Sequence, residues 1–391
     1  GIEDVLGKKY FLPAHQGRAA ENIISRTFIK PGQTVITNYH FTTMLAHVNE
    51  VGGRVIELLR DEALILKSDN PFKGNIDIDK LVKTIEEVGA KNVAYIRMEA
   101  STNLIGGQPF SIRNMMDVRQ VADKYGIMLV LDASLLGENA YLVKQREEQW
   151  KENSMADIIK MMTGLADLVY FSARKLTSSR GGGICTNNHK LFKQMEPLIP
   201  LFEGFLTYGG MSIREIEAMA VGIYETTDET MISQSVDFIK YCVESAEKMG
   251  IPMVTPPGVL GAHVNAGEFC SHIPQHEYPA GALAAAFYLC SGVRGMERGT
   301  MSSVRDENGV EIPADVELMR LAFPRRVFTL SQTKYVVDRL AWLYENRHLI
   351  GGLKFNYEPT VLRFFMGELE PLTDWPSRIV EKFRKDFGDS L

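Results

Sequence analysis

From Thr34 to about Thr186 the chain alternates short runs rich in β-branched residues with longer stretches whose apolar residues recur at helical spacing. That alternation is the mark of a mostly parallel sheet, because parallel strands can be joined only by a connection that crosses a face of the sheet, usually as a helix. The segments TVITNY, RVIELL, VAYIRMEA, IMLVLDAS and ADLVYFSAR read as the strands. Between the third and fourth, SIRNMMDVRQVADKYG has apolar residues at helical spacing and ends on Gly126, a residue suited to a left-handed C-cap.

After the glycine-rich RGGGICTNN the pattern changes. Longer helical stretches, SVDFIKYCVESAEKMG and GALAAAFYLCSGV, now mix with strands around GAHVNAG and VELMRLAFP. A long helix over SQTKYVVDRLAWLYENRHLI follows, and VLRFFM reads as a short late strand. With 391 residues the chain exceeds the roughly 250–300 at which single cores stop growing. Two domains are therefore expected: a large one over 1–225 and a smaller α+β one over 226–391. The second ends in an acidic and aromatic tail, GELEPLTDWPSRIVEKFRKDFGDSL, which reads as a surface helix.

Charge and cysteine usage exclude several classes of function. The formal net charge is -6 and the basic residues are scattered among acids, so no field is present for duplex phosphate and nucleic acid is not an expected partner. An anionic ligand must be held by a local constellation instead. Cys185, Cys242, Cys270 and Cys290 lie far apart, with no CxxC pair and no His at ligand spacing. They signal neither a metal site nor a disulfide framework, and they fit buried thiols of a cytoplasmic protein. No apolar run approaches the roughly 20 residues that cross a bilayer, so no membrane partner is expected. The opening Gly-Ile-Glu-Asp-Val carries no charged and apolar regions of a signal peptide.

Two residues at strand ends carry the chemistry. Asp132 closes an apolar strand, and Lys175 follows the next one beside Ser172. Ligands of open α/β sheets collect beyond the carboxyl ends of the strands, which directs both side chains to one crevice. A Lys there can form an imine with an aldehyde cofactor, and an Asp at the neighbouring strand end can pair with a pyridinium nitrogen. Each also has an ordinary explanation, the Asp as a cap or turn residue and the Lys as a solvated one. The surrounding motifs add weight. HQGRAAEN puts Gly17 and Arg18 at a helix start, offering N–H groups, close approach and a guanidinium to a phosphate monoester, with Ser172 and Arg174 as further donors. Phe41, after TVITNY, offers a flat face for a cofactor ring or simply core packing, with Thr42 beside it. Asn103 follows another strand end, where it serves as a donor to a phenolate oxygen or as a turn residue.

In this order the residues resemble the β-eliminating lyases, the tyrosine phenol-lyase and tryptophanase family of fold-type-I pyridoxal-phosphate enzymes. The resemblance runs from LPAHQGRAAEN through NLIGGQP, ENAYLVKQRE, YGGMSIREIEAMAVG and GVRGMERG to RLAFPRRVFT and GLKFNYEPTVLRFF. It implies an aminotransferase-like large domain and pyridoxal 5'-phosphate as cofactor, with Lys175 as the imine lysine, Asp132 as the pyridinium partner and Phe41 as the stacking ring. Gln16, Gly17, Arg18 and Ser172 would then hold the phosphate, and Asn103 the ring oxygen. Arg320 would clamp the α-carboxylate of an amino-acid substrate, a bidentate task suited to Arg. MERG with Arg298, and the pair Phe364-Phe365, resemble the pocket of the phenol-releasing members, whereas indole-releasing ones carry an apolar residue and a His there. The implied reaction is cleavage of an aromatic amino acid to pyruvate, ammonia and a phenol.

Three departures bear on that activity. The family's N-terminal segment carries a tyrosine acid for the leaving ring, small hydroxyl residues near the substrate carboxylate and an acidic ligand for a monovalent cation. None can be assigned in this chain, so the resemblance leads to a homo- or hetero-oligomer in which a further segment or a small subunit supplies them. The family's Asp-x-x-Arg becomes Asp132-Ala-Ser-Leu135, removing a guanidinium from beside the cofactor. Arg180 stands where the family has a polar residue near its potassium site, and a fixed guanidinium there can take the place of the cation. Other readings stay open: tryptophanase-like cleavage, β-elimination from a cysteine or serine derivative, transamination, or a non-catalytic scaffold subunit.

Overall fold

The computed structural model describes residues 1–303, 305–306, 308–359 and 363–388. It divides into two compact units, Gly1–Ala63 with Asn70–Gln234 and Leu64–Asp69 with Ser235–Leu391.

The first unit is built on a seven-stranded sheet of strands β1 (Tyr10–Ala14), β2 (Thr34–Thr37), β3 (Arg54–Glu57), β4 (Val93–Glu99), β5 (Leu129–Asp132), β6 (Leu168–Ser172) and β7 (Gly182–Thr186), in the spatial order β1-β7-β6-β5-β4-β2-β3. The run from β3 to β6 is parallel, and β7 lies antiparallel to both β6 and β1. All five strands expected from the hydrophobic runs are present. Their near-continuous apolar character follows from burial on both faces, the usual condition of parallel strands. On one face Ile96, Met98, Leu129, Leu131, Val169 and Phe171 join a core with the helices Ile112–Tyr125, Leu136–Arg146 and Met155–Gly164. On the other, Val35, Tyr95, Val130, Leu168 and Tyr170 meet the helices Gly17–Phe28 and Thr42–Glu50. The helix Ile112–Tyr125 ends on Gly126 at φ 65°, the left-handed C-cap expected from its sequence.

RGGGICTNN, which the sequence pattern marks only as a boundary, contains β7. A strand of small residues is required there, because a Cβ on Gly182 would lie 2.6 Å from the Phe171 carbonyl and 2.8 Å from the Gln16 carbonyl carbon. A Cβ on Gly183 would enter the Phe11 ring. The missing side chains let β1 and β6 close on β7 and bring the start of the helix Gly17–Phe28 against the strand ends.

The second unit holds a three-stranded antiparallel sheet, with β8 (Gly261–Asn265) and β9 (Met296–Arg298) flanking β10 (Leu318–Ala322), and a two-stranded pair, β11 (Leu353–Tyr357) with β12 (Glu368–Pro371). The helices Pro279–Ser291, Leu330–Glu345 and Trp375–Phe387 enclose its core. Two expectations are corrected here. Arg363–Met366 is a short helix rather than a strand, while Val361 and Leu362 of VLRFFM lie outside the described residues. Four consecutive residues of one helical turn cannot be told from a strand by periodicity. The tail does form a helix, but one with a buried face: Trp375, Ile379 and Phe383 recur at four-residue spacing and enter the core. Among the described residues no helix is long and apolar enough to cross a membrane.

Candidate active site

The carboxyl ends of β4, β5 and β6 bring a row of polar side chains onto the sheet face that also packs the helix Gly17–Phe28. The register pairs Glu99 with Asp132 and Asp132 with Tyr170, so alternation along each strand places these three side by side. Asp132 is buried at the end of β5. Its Oδ1 accepts from the Ser134 backbone N–H at 3.0 Å, and its Oδ2 accepts from Arg97 Nη2 at 2.7 Å and from the Tyr170 hydroxyl at 2.9 Å. Burial alone would raise the Asp132 pKa. The Arg97 guanidinium, then Lys175 and the Ser134 hydrogen bonds, outweigh it and hold the carboxyl below its ordinary value, so that it is an anion at neutral pH.

Lys175 lies on the short helix Ala173–Leu176 that leaves β6. Its Nζ is 4.7 Å from the centroid of the Phe41 ring, so the amine and the aromatic face meet over the end of the sheet. The same charge acts on Asp132, Glu99 and Glu21. Phe41 is the N-cap residue of the helix Thr42–Glu50, which fixes the ring at the point where the chain turns from β2, with Thr42 next in the helix. Thr43 donates from Oγ1 to Glu21 at 2.6 Å and ties this helix to Gly17–Phe28.

Gly17 opens its helix directly against the end of β6. A Cβ on Gly17 would lie 2.8 Å from Ser172 Cβ and 3.1 Å from Ser172 N, so only glycine lets the helix start reach this strand end. Gln16, its N-cap, is extended, and no side chain caps the helix. The first N–H groups of a twelve-residue helix thus converge with Ser172 and the exposed Arg18, a donor set that fits a phosphate monoester. Ser172 itself is oriented by its backbone N–H, which donates to Ser134 Oγ at 3.0 Å. Asn103 is buried after β4, and its backbone N–H donates to Glu99 Oε1 at 3.0 Å. Asn38 buttresses this turn, donating to the Glu99 carbonyl and to Thr102 Oγ1, each at 3.1 Å.

The structure therefore gathers Gln16, Gly17, Arg18, Phe41, Thr42, Asn103, Asp132, Ser172 and Lys175 in the first unit. An amine, a buried carboxylate anion, an aromatic face and a helix N-terminus are the donor set that a phosphorylated pyridine aldehyde requires. Arg180 is exposed and pairs with Glu215 at 3.3 Å, at the capping box of the helix Ile213–Glu225. Among the described residues no group of three or more His, Cys, Asp or Glu side chains is arranged to hold a metal.

The remaining expected residues belong to the second unit. Arg298 ends β9 opposite Leu318, two residues before Arg320 on β10, so the two arginines share one face of that sheet. Arg320 Nη2 lies 2.6 Å from Met296 Sδ, and burial, then the Arg298 charge, push its pKa down to about 10. Phe364 and Phe365 pack edge to face with centroids 5.0 Å apart. They line a cavity of about 860 Å³ with Ala284, Tyr288, Met296 and Glu297, and neither Arg298 nor Arg320 is among its lining residues.

Reading by motif overlooked Arg97, Glu99, Glu21 and Tyr170. The available signal was a pair of opposite charges two residues apart within the apolar strand VAYIRMEA, which puts both on one buried face.

Comparison with known proteins places the chain in a family. A family model described as beta-eliminating lyase matches residues 1–339. The tyrosine phenol-lyase of Pasteurella multocida is 42% identical over 372 residues, 95% of this chain and 81% of that protein. The tyrosine phenol-lyase of Clostridium tetani is 40% identical over 371 residues, 94% and 81% of the two chains. Among solved structures, serine palmitoyltransferase from S. paucimobilis with bound PLP-myriocin aldimine superimposes with a TM-score of 0.59 at 13% identity, covering 89% of this chain and 76% of that one. A SepCysS–SepCysE N-terminal domain complex gives 0.56 at 15% identity, covering 88% and 83%. At such identities these two likenesses establish the fold, an aminotransferase-like α/β architecture of fold type I.

Proposed function

From the premise that this chain belongs to the β-eliminating lyases, a pyridoxal-phosphate-dependent family, we propose that it cleaves tyrosine to pyruvate, ammonia and phenol. The observation that carries the reading is the meeting of the Lys175 amine, the Phe41 face and the Asp132 anion at the strand ends.

When bound, pyridoxal phosphate supplies an electron sink for negative charge at the substrate α-carbon. The chain's own part is to hold that group and to move protons beside it. Lys175 would hold it through Nζ, and the same nitrogen as a free amine would be the base for the α-proton of the substrate. Asp132 would pair with the ring nitrogen, Phe41 would offer its face to the ring and Asn103 would donate to the ring oxygen. The phosphate would be held at the N-terminus of Gly17–Phe28, with Gln16, Gly17, Arg18 and Ser172 as its donors. On the substrate side, Arg320 takes the α-carboxylate as a planar fork. Arg298 takes the phenolic oxygen, Phe364 and Phe365 the arene, and Thr42 completes the set. Arg180, as a fixed charge already paired with Glu215, serves in place of a monovalent cation. Assembly into an oligomer belongs to the same proposal, with light scattering as its test.

The test is product analysis with purified chain and cofactor. Phenol, pyruvate and ammonia in equal amounts from tyrosine are expected. Release of pyruvate from cysteine or serine derivatives alone would replace tyrosine as the substrate, and a keto acid formed without ammonia would replace elimination by transamination.

A further inference from the structure

Arg97 lies in the middle of β4, a strand buried on both faces, and its side chain is 1% exposed. A charge there persists only if every donor finds an acceptor, because an unpaired buried ion is far costlier than an apolar side chain. Each of the five N–H bonds does. Nε donates to the Tyr170 hydroxyl at 2.8 Å, and Nη1 donates to Thr37 Oγ1 and to the Tyr39 carbonyl, both at 3.3 Å. Nη2 divides between Asp132 Oδ2 at 2.7 Å and Glu99 Oε2 at 3.1 Å. The other oxygen of Glu99 accepts the Asn103 N–H. A continuous path therefore runs from Asp132 through one guanidinium nitrogen and one carboxylate to Asn103.

We infer that Arg97 is a positioning residue that, through Glu99, locks Asp132 and Asn103 into one frame, presenting a charged carboxylate to the cofactor's ring nitrogen. The inference rests on the cofactor reading above. Tyr170 completes the frame, accepting from Arg97 Nε and donating to Asp132 Oδ2. Oδ2 of the carboxylate is thereby held from two sides while the Ser134 N–H holds Oδ1, and its charge is balanced from within the sheet. Leu135 adds no charge at the place where the resemblance expects an arginine, so in this chain the guanidinium reaches Asp132 from the neighbouring strand instead of from the following turn. A planar guanidinium donates from three nitrogens at once, Nε to Tyr170, Nη1 to Thr37 and Tyr39 and Nη2 to both carboxylates, which a lysine ammonium on a flexible stem does not reproduce. Surrounding acids sharpen the requirement: burial raises the pKa of Glu99 and pushes that of Glu21 up to about 7, and Arg97 is the largest of the influences, ahead of Lys175 and the Ser134 hydrogen bonds, that keep Asp132 the ionised member of the group.

The experiment compares equilibrium binding of pyridoxal phosphate with that of its analogue in which carbon replaces the ring nitrogen, to the cofactor-free full chain and to Arg97→Lys and Tyr170→Phe. Circular dichroism checks that each variant is folded. Arg97→Lys should weaken pyridoxal phosphate by about tenfold, the loss expected of a charge-assisted hydrogen bond, and weaken the analogue, which reports only the Asn103 side of the frame, by clearly less. Tyr170→Phe, which keeps the guanidinium and the volume of the ring, should do the same by about threefold, and it carries the test if Arg97→Lys does not fold. Equal weakening of both ligands would mean a merely structural role and would overturn the inference, as would no weakening of either. A wild-type chain that binds the analogue but not pyridoxal phosphate would leave the phosphate site standing and overturn the role of Asp132. Binding of neither by the wild type would overturn the cofactor reading and this inference with it.

Discussion

Replacing Glu21 by Gln should stabilise the cofactor-free chain at neutral pH and remove one component of its pH dependence. Glu21 is buried on the helix Gly17–Phe28, within the field of Asp132, and these two effects push its pKa from 4.5 up to about 7. The Thr43 hydrogen bond, Arg97 and Lys175 oppose them without prevailing. An acid whose folded pKa is raised binds more protons in the folded state than in the unfolded state across the interval between the two values. Stability from this group is therefore complete below pH 4.5 and declines as pH rises towards about 7, where the buried carboxyl begins to ionise. The difference between about 7 and 4.5, at roughly 1.4 kcal/mol per pKa unit, amounts to about 3 kcal/mol. Gln keeps an oxygen for Thr43 Oγ1 and carries no titrating proton, so Glu21→Gln should be nearly as stable as wild type at pH 4.5 and more stable by up to about 3 kcal/mol above pH 7. Urea denaturation of both proteins at closely spaced pH values measures the difference directly. A gap that stays constant from pH 4.5 to 8 would refute the assignment of a raised pKa to Glu21, as would a wild type that gains stability on Glu21's account as pH rises.

Gly17→Ala should push the helix start away from Ser172, an overpacking strain of about 1–3 kcal/mol. Calorimetric titration should then show weaker binding of pyridoxal phosphate but unchanged binding of pyridoxal, which lacks the phosphate. If Arg180 takes the place of the cation, lyase activity should be flat when potassium replaces sodium, and Arg180→Gln should make it potassium-dependent; a steep rise in the wild type contradicts the role. Trp375→Ala should cost the second unit about 3–5 kcal/mol, because the indole fills the core beneath Gly351 and its Nε1–H donates to the Gly352 carbonyl. Thermal unfolding would reveal this, and an unchanged melting temperature would mean that the tail helix does not support the core.

The parallel strands were legible because burial on both faces leaves an apolar run that ends abruptly at Asp132 or Ser172, where side chains turn to the crevice. Lys175, Asp132, Gly17 and Phe41 could be named for the same reason: each sits where a strand or helix begins or stops, and such ends leave marks in a sequence. Arg97, Glu99, Glu21 and Tyr170 could not, since they meet only when β4, β5 and β6 lie in register with a helix on top of them. β7 escaped because its glycines look like a break, although they are what lets three strands and a helix start approach one another. The short helix Arg363–Met366 was too brief to show a period. The tail helix revealed its spacing at Trp375, Ile379 and Phe383, but what that face would be buried against is a property of the folded unit alone.

The central claim is that Lys175 holds pyridoxal phosphate covalently at the ends of β5 and β6. Reducing the cofactor-loaded chain with borohydride and mapping its peptides by mass spectrometry tests this most directly. The account predicts one phosphopyridoxyl group, on the peptide that contains Lys175, and none in Lys175→Ala. Attachment to a different lysine, or a wild-type chain that retains no group after reduction, would contradict it.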